Sequence, residues 1–411
     1  MFMSDGKVDI DPDILAATDR QENIGLMEPM RVSESNPQFA ELNDLAVELA
    51  AASAGLSRSL PTEIAIALAD LVRSMNCYYS NLIEGHDTHP IDIERALKDD
   101  FSADPIKRDL QLEAKAHIEV QKWIDQGGID GRVTTPETLL EIHLRFGELL
   151  PDTLLNVNNP DTGEVIQMVP GQWRNRDVQV GHHVAVSAGA IPRFLTRFDT
   201  AFRNLGRSSG LLAVAAAHHR MLWIHPFLDG NGRVARLMSY AMLKEHLDTG
   251  GIWSVARGLA RNEAEYKRHL MACDGPRRGD LDGRGTLSEG ALVSFIRFFL
   301  TVCIDQVQFM DELIQPDRLR HRILLWAEEE IRMGNLPAKS AQVLEAVLYR
   351  GALPRGELAN LVGSGDRQAR RIAASLLEIG VLTAENNRAP FKLAFPAVLA
   401  PRWMPGLFPE K

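Results

Sequence analysis

Apolar residues recur at steps of three and four along the stretch that begins at Pro61. The recurring positions are Ile64, Leu68, Leu71, Met75, Tyr78 and Leu82. This spacing puts them on one face of an α-helix, with Pro61 suited to its first turn and Gly85 to its end. Comparable segments occupy residues 91–125, 135–150 and 190–246. The chain is therefore predicted to be mainly all-α.

Residues 160–189 interrupt the helical pattern. Two short valine-rich runs, 165–169 and 178–180, flank Pro170 and Gly171, and the Asp-Thr-Gly sequence at 161–163 is a turn signal. We expect a short β-hairpin that lies on the helical body.

The pattern changes again after Pro316. Residues 319–333 predict a connecting helix, and three short amphipathic helices follow at 340–350, 355–362 and 366–379. A strand, a turn and a second strand come next, at 381–384, 386–388 and 391–395. This order is typical of a winged helix-turn-helix domain. The predicted regions are an N-terminal helical region (1–110), a helical core (111–316), and a linker helix with the winged helix-turn-helix domain (317–411).

Charge is distributed unevenly along the chain. The 411 residues carry a formal net charge of -10, yet residues 337–395 contain eight Lys or Arg and only five Asp or Glu. Arg367, Arg370 and Arg371 lie at the start of the third short helix. An excess of +3 is modest for DNA binding. We therefore expect this segment to serve in homodimer formation or target docking, and DNA binding is the less favoured alternative. The acidic remainder is not expected to bind nucleic acid.

Cysteine content and hydropathy bear on the compartment. Three scattered cysteines, Cys77, Cys273 and Cys303, do not form a disulfide framework or a zinc site. Charged residues or histidines interrupt the apolar runs at 211–223 and 292–310, which favours core helices over membrane spans. Residues 1–15 lack the pattern of a secretory signal. We expect a cytoplasmic protein with no membrane partner.

The stretch from His225 to Arg236 reads His-Pro-Phe-Leu-Asp-Gly-Asn-Gly-Arg-Val-Ala-Arg. Its Gly-Asn-Gly loop precedes an apolar periodic segment and so leads into the N-terminus of a helix. Free backbone N–H groups and the helix dipole make such a terminus an anion site. Arg233 and Arg236 add two guanidinium groups suited to phosphate oxygens. The layout suggests a di- or triphosphate along the helix start.

Two further residues in this stretch suggest a reaction. Asp229 beside a polyphosphate site is a natural Mg²⁺ ligand, because Mg²⁺ is usually held by one or two carboxylates and phosphates. His225 can accept a proton at neutral pH. Together they predict phosphoryl or nucleotidyl transfer. A P-loop and a dinucleotide fingerprint fit less well, since the loop has neither Gly-Lys-Ser/Thr nor a third glycine.

This stretch resembles the signature of the Fic family, His-Pro-Phe-x-(Asp/Glu)-Gly-Asn-Gly-Arg-x-x-Arg, at every specified position. The similarity extends through Glu141-Ile142-His143, 170–174 (Pro-Gly-Gln-Trp-Arg), Arg261-Asn262 and Tyr266, over roughly residues 60–310. The resemblance implies a Fic catalytic core that is helical with a short β-hairpin flap. It also implies transfer of AMP from ATP to a Tyr, Ser or Thr hydroxyl of a target protein.

The resemblance also implies roles for individual residues. His225 would deprotonate the target hydroxyl, and Asp229 would hold Mg²⁺. The residues implied to bind ATP and its phosphates are Gly230, Asn231, Gly232, Arg233 and Arg236, with Asn262 and Tyr266 near the adenine. The flap residues implied to pair with an extended target segment are Val180, Gly181, His182, His183 and Val184.

A second short motif, residues 80–85 (Ser-Asn-Leu-Ile-Glu-Gly), resembles the family's inhibitory helix pattern, (Ser/Thr)-x-x-x-Glu-(Gly/Asn). Ser80 and Glu84 share one helical face, and Gly85 ends the helix. The resemblance implies that Glu84 pairs with Arg236 and withholds that guanidinium from the γ-phosphate. Because this motif precedes the core in the same chain, the protein would belong to the class with an N-terminal inhibitory helix.

Other functions remain open on the same residues. The scaffold could remove AMP from a modified protein or transfer a different nucleotide, and self-modification is a further outcome. A different class is a DNA-binding regulator whose core senses nucleotide. His225 argues against pure sensing, since binding alone does not need a base.

Overall fold

The computed structural model describes residues 17–158, 163–247 and 249–409. Residues 1–15, on which the expectation about a secretory signal depends, lie outside this range, as do residues 161 and 162 of the predicted turn. The helices are α1 (Phe39–Arg58), α2 (Thr62–Ile83), α3 (Pro90–Leu97), α4 (Pro105–Asp125), α5 (Pro136–Gly147), α6 (Asp152–Leu155), α7 (Ile191–Phe202), α8 (Arg207–Ile224), α9 (Asn231–His246), α10 (Val255–Arg261), α11 (Glu263–Cys273), α12 (Glu289–Ile314), α13 (Pro316–Met333), α14 (Ser340–Arg350), α15 (Leu358–Val362), α16 (Asp366–Glu378) and α17 (Ala400–Trp403). The strands are β1 (Asn156–Asn158), β2 (Val165–Gln167), β3 (Gln179–Val180), β4 (His183–Val184), β5 (Ala352–Leu353), β6 (Leu382–Thr383) and β7 (Phe391–Leu393).

The prediction of a mainly helical fold is confirmed. Helix α2 coincides with the first predicted helix and buries its apolar face, including Ile64, Leu68 and Met75. The periodic segment at 91–125 contains two helices, α3 and α4. Asp104 starts the second of these, because its side chain accepts a hydrogen bond from the Ile106 N–H and Pro105 occupies the first turn.

The described residues form two compact units. One contains residues 17–47, 103–246 and 261–301, and the other contains residues 48–102, 247–260 and 302–409. This grouping differs from the sequence-based division at residues 110 and 316, since the segment 48–102 joins the C-terminal residues. The grouping depends on contacts between residues that lie far apart in the sequence. Such contacts cannot be predicted from the periodicity of a single helix.

The first unit is built around α8. This helix is buried over almost its whole length from Gly210 to Ile224 and packs against α7 and α9. Helices α4 and α5 contact each other, and α5 also contacts α9. A helix that turns no side to solvent needs such complete coverage by its neighbours.

The second unit contains α2 and the C-terminal elements. Strands β5, β7 and β6 form an antiparallel sheet in that order, with Leu353, Leu382 and Phe391 buried. Helices α14, α15 and α16 occupy the positions predicted for the three short helices, and α15 is preceded by a 3₁₀ turn at Arg355–Glu357. Strand β5 is an element that the sequence analysis did not predict.

The predicted pairing of residues 165–169 with 178–180 is wrong. Strand β2 pairs with β1, and β3 pairs with β4, so two small hairpins replace one. Gly181 has a φ of 59°, which allows a two-residue turn between Val180 and His183. Because the turn reverses the chain after two residues, β3 pairs with β4, the next strand in the sequence.

Among the described helices, α12 has the length and hydropathy of a membrane span. Within its most apolar window, 67% is buried inside the protein. Such burial is typical of a core helix.

Candidate phosphate site at the start of a helix

His225 follows α8 and lies in the left-handed region, with φ 50° and ψ 61°. Its Nδ1 lies 3.3 Å from the Leu222 carbonyl oxygen. Because a carbonyl oxygen only accepts, Nδ1 carries the proton of the neutral ring and Nε2 is left as the basic nitrogen. Burial, followed by the charge of Arg174, lowers the pKa of His225 to about 4. The ring is therefore neutral at pH 7 and can accept a proton at Nε2.

Arg174 holds the backbone around His225. Its Nε donates to the His225 carbonyl oxygen at 2.7 Å, and its backbone N–H donates to the Pro226 carbonyl oxygen at 2.9 Å. The guanidinium also donates to the carbonyl oxygens of Ile224, Arg176 and Val186. These bonds stabilise a left-handed conformation that is uncommon for histidine. No role was predicted for Arg174 from the sequence, where it belongs only to the stretch 170–174 of the resemblance.

Asn231 closes the loop that follows His225. Its Oδ1 accepts from the Phe227 N–H at 3.0 Å, and its Nδ2 donates to the Phe227 carbonyl oxygen at 2.8 Å. The Asn231 side chain is therefore committed to the loop itself, and its backbone N–H is what it offers toward a phosphate.

His143 supports the same loop from α5. Its Nδ1 accepts from the Gly171 N–H at 2.9 Å, so Nε2 is protonated and donates to the Asp229 carbonyl oxygen at 3.3 Å. The ring stacks on Phe227 with centroids 3.9 Å apart. Gly230 has a φ of 81°, and a Cβ there would lie 3.4 Å from the His143 ring. The positive φ therefore favours glycine at this position, whereas the distance to the His143 ring is an ordinary contact.

The first hydrogen bond of the helix that starts at Asn231 runs from the Val234 N–H to the Gly230 carbonyl oxygen, at 3.0 Å. The N–H groups of Asn231, Gly232 and Arg233 precede it and point toward the N-terminal end of α9. The helix thus starts at the predicted residues, and anion binding there stays a prediction.

Arg233 lies between two carboxylates. Its Nη1 donates to Glu113 at 2.6 Å, and its Nη2 donates to Asp229 at 2.7 Å. The side chain of Glu113 is fully buried and that of Arg233 is 7% exposed. Glu113 was not predicted as a site residue; it lies on α4 and is separated from Arg233 by 120 positions. An acid in an amphipathic helix carried no signal that it faces inward.

Arg236 is buried near two neutral histidines. Burial first, and then the charge of Arg236, lower the pKa of His117 and of His218 to about 3. In the described part of the chain, neither ring nitrogen of His117 has a hydrogen-bond partner. The surroundings of Arg236 within this unit therefore favour an uncharged form of both imidazoles.

Asp229 suits a Mg²⁺ ion held jointly with a nucleotide. Its side chain is 41% exposed, whereas Glu113 beside it is enclosed. No group of three or more His, Cys, Asp or Glu residues is arranged for a metal ion among the residues that the structure describes. A single carboxylate with phosphate oxygens is a usual Mg²⁺ environment, so the residues present fit this ion.

Tyr266 is tied to a buried hydrogen-bond chain. The Ser239 hydroxyl donates to the Ala235 carbonyl oxygen at 2.8 Å, so the Nδ1–H of His218 donates to Ser239 at 2.8 Å. The remaining His218 nitrogen accepts from the Tyr266 hydroxyl at 2.7 Å. Asn262, in contrast, is exposed at the start of α11. The Tyr266 ring is thereby fixed, whereas Asn262 faces solvent.

The two flap histidines differ in environment. The Nε2 of His183 donates to the Trp223 carbonyl oxygen at 2.7 Å, and its ring lies 5.2 Å from that of Trp223. His182 is exposed in the turn beside Gly181. Val180 and Val184 are 47% and 59% exposed. His183 therefore anchors the flap, and the two valines with His182 are its outward face.

The predicted inhibitory residues lie at the end of α2, in the second unit. Ser80 is fully buried, Glu84 is exposed at the last turn, and Gly85 has a φ of 86°. The helix thus ends where the motif predicts. Glu84 and Arg236 belong to different units, so their pairing stays a prediction.

Comparison with known proteins identifies part of the chain. Residues 134–243 match the model of the Fic/DOC family. The protein adenylyltransferase Fic of Drosophila persimilis is 28% identical over 169 residues, which are 40% of this chain and 30% of that protein. The corresponding protein of Drosophila virilis is also 28% identical, over 40% of this chain and 32% of its own length. The chain thus aligns with less than a third of these relatives.

A solved structure shares the fold. A Fic family protein from Desulfovibrio desulfuricans G20 superposes with a TM-score of 0.51 at 17% sequence identity, covering 85% of this chain and 96% of that one.

Proposed function

We propose that this protein is an adenylyltransferase that moves AMP from ATP to a hydroxyl group of a target protein, since residues 134–243 match the model of the Fic/DOC family. One observation carries the proposal: His225, whose Nδ1 faces the Leu222 carbonyl oxygen so that Nε2 is the basic nitrogen, shares one short loop with the glycines at the N-terminus of α9. A base and an anion site in one short segment are what nucleotidyl transfer requires.

In the proposed reaction, the target hydroxyl oxygen attacks the α-phosphorus while its proton passes to Nε2 of His225. The bond from the α-phosphorus to the bridging oxygen breaks, and pyrophosphate leaves. The backbone N–H groups at the start of α9 and the guanidinium of Arg233 would bind the phosphates. Asp229 would hold Mg²⁺, which when bound neutralises phosphate charge. Asp229 would then exchange its pairing with Arg233 for the metal, while Glu113 keeps Arg233 in position.

The flap offers a surface for the target. Val180 and Val184 face outward on a two-stranded hairpin whose outer edges can accept an extended peptide. His183 fixes this hairpin to Trp223. Target docking by strand addition is therefore part of the proposal.

We also propose that the enzyme inhibits itself through Glu84. The carboxylate would pair with Arg236 and compete with the γ-phosphate for the guanidinium. Supporting this proposal, the exposed Glu84 follows a helix whose last turn is fixed by the buried Ser80.

Label transfer from ATP carrying a labelled α-phosphate tests both proposals. The acceptors are a cell lysate and the enzyme itself, and the proteins are wild type, Glu84→Gly, and Glu84→Gly with His225→Ala. We expect weak, strong and no labelling, respectively. Equal labelling by wild type and Glu84→Gly would overturn the inhibition, and labelling without His225 would overturn the base assignment. Labelling with a different nucleotide only would redirect the proposal to that nucleotide.

A further inference from the structure

Helix α16 presents three arginines on its exposed side. It buries Ala369, Ile372, Ala373 and Leu376 against the second unit. At 100° per residue, Arg367 and Arg371 lie opposite this buried face, and Arg370 lies at its margin. All three side chains are exposed. The N-terminal half of α16 is therefore a basic surface.

The charges of these arginines are not neutralised within the described part of the chain, where none of the three takes part in an ion pair. Other exposed arginines of the same unit do pair: Arg350 with Glu357 at 2.8 Å, and Arg320 with Glu345. The carboxylates of α16 itself are Asp366 in its first turn and Glu378 in its last. Three unpaired guanidinium groups on two helical turns favour an anionic partner.

The surrounding elements have the arrangement of a DNA-reading helix. A three-residue turn, Gly363-Ser364-Gly365, joins α15 to α16, as in a helix-turn-helix. The antiparallel strands β6 and β7 follow, so the order is that of a winged helix-turn-helix. In such motifs the N-terminal residues of the second helix contact bases in the major groove. Arg367 and Arg371 occupy these positions.

The hairpin that follows α16 also has a defined basic tip. The Asn386 side chain accepts from the N–H groups of Arg388 and Ala389, both at 2.9 Å. Arg355 donates from Nε to the Ala389 carbonyl oxygen at 2.9 Å. The exposed Arg388 is thus carried on a turn that is braced from both sides.

We propose that the second unit binds duplex DNA through α16, with Arg367 and Arg371 in the major groove. Duplex RNA fits less well, because its major groove is too narrow and deep for a helix. A protein partner fits less well because the outward face carries Arg367, Arg371, Ala374 and Glu378, without the apolar centre of a protein interface. The proposal is independent of the proposed transferase activity. It places DNA binding ahead of dimer formation or target docking, whereas the net charge alone suggested the opposite order.

Fluorescence anisotropy of a labelled, mixed-sequence DNA duplex with the full-length protein tests this proposal. We expect binding at about 50 mM salt that weakens as salt rises, because each neutralised phosphate contributes about -0.9 to the slope of log K against log salt. The variant Arg367→Ala/Arg371→Ala is expected to bind at least about tenfold more weakly, with the slope reduced by about 2.

Arg320→Ala/Arg332→Ala is the matched control, since it removes two exposed arginines from α13. We expect this variant to bind as wild type, and both variants to keep the wild-type melting temperature and label-transfer activity. No binding at low salt, or equal loss in both variants, would overturn the proposal. Tighter binding to single- or double-stranded RNA of the same sequence would replace DNA by RNA as the partner.

Discussion

At the scale of single residues, the site depends on polar contacts that select one protonation state. The carbonyl of Leu222 fixes the tautomer of His225, and Gly171 fixes that of His143. Arg174 holds the backbone of His225, and burial together with the charge of Arg174 lowers the pKa of that ring. Glu113 and Asp229 both face Arg233. The two carboxylates would therefore compete with a bound phosphate for the guanidinium of Arg233. From the sequence, such competition was predicted for Arg236 alone.

Replacing Glu113 tests this shared pairing. Glu113→Gln keeps the side-chain shape but leaves the buried Arg233 without its enclosed counter-charge, and loss of one partner of a buried pair typically costs about 3–5 kcal/mol. We expect a lower free energy of unfolding in urea and a higher KM for ATP, both measured with the Glu84→Gly protein. Glu328→Gln, which alters an exposed pair with Arg332 on α13, is the control and should change neither. An unchanged KM would contradict the positioning role.

The pH dependence tests the environment of His225. The active form is the neutral ring, and the lowered pKa of about 4 keeps the ring neutral well below the ordinary 6.5. For the Glu84→Gly protein, we expect kcat/KM to stay constant from pH 8 to pH 6 and to fall only as pH approaches the lowered pKa. A half-maximal rate near pH 6.5 would show that the ring is exposed to solvent in the free enzyme.

At the scale of elements, α2 is held at both ends by C-terminal residues of its own unit. Lys392 of β7 pairs with Glu63 at 2.8 Å in the first turn. At the other end, the Tyr79 hydroxyl donates to the Leu407 carbonyl oxygen at 3.2 Å, and the Tyr78 ring lies edge-on to Phe408 at 5.7 Å. The helix that carries the proposed inhibitory glutamate is thus fixed by the C-terminal residues.

Loosening the end of α2 should weaken the proposed inhibition. Phe408→Ala removes the ring that packs on Tyr78, so Glu84 would be held less firmly. We expect label transfer by this variant to rise severalfold over wild type, and no further rise when the same change is made in Glu84→Gly. Val398→Ala, at a position 58% exposed, is the control. Activation by Phe408→Ala that persists in full without Glu84 would contradict this explanation.

At the scale of the whole molecule, the chain crosses repeatedly between its two compact units. Residues 302–409 share the second unit with residues 48–102 and 247–260. Arg257 donates to the Gly406 carbonyl oxygen at 2.8 Å, and its guanidinium lies over the Phe309 ring. The C-terminal residues therefore depend on residues 48–102 and on residues that follow α9.

A fragment of residues 317–411 tests this dependence. It would expose the surface that α2 covers in the full chain, because α2 contacts β7 and the Tyr78 ring packs on Phe408. We expect the fragment to lack a cooperative thermal transition by circular dichroism, whereas the full-length protein melts cooperatively. A sharp thermal transition of the isolated fragment would show that residues 317–411 fold independently.

The sequence by itself determined the mainly helical fold, the extent of α2, the positions of the three short C-terminal helices and the segment from His225 to Arg236. The helices show in the spacing of their apolar residues, and the segment from His225 to Arg236 is one continuous motif, so both can be found within a short stretch of sequence. Only the tertiary structure decided the pairing of the hairpins, the grouping into units and the parts played by Glu113, His143 and Arg174. The reason is physical: the contacts from Glu113 to Arg233 and from Arg174 to His225 join positions 120 and 51 residues apart. Burial of a charge at such a distance depends on how helices pack, and no short-range pattern encodes it.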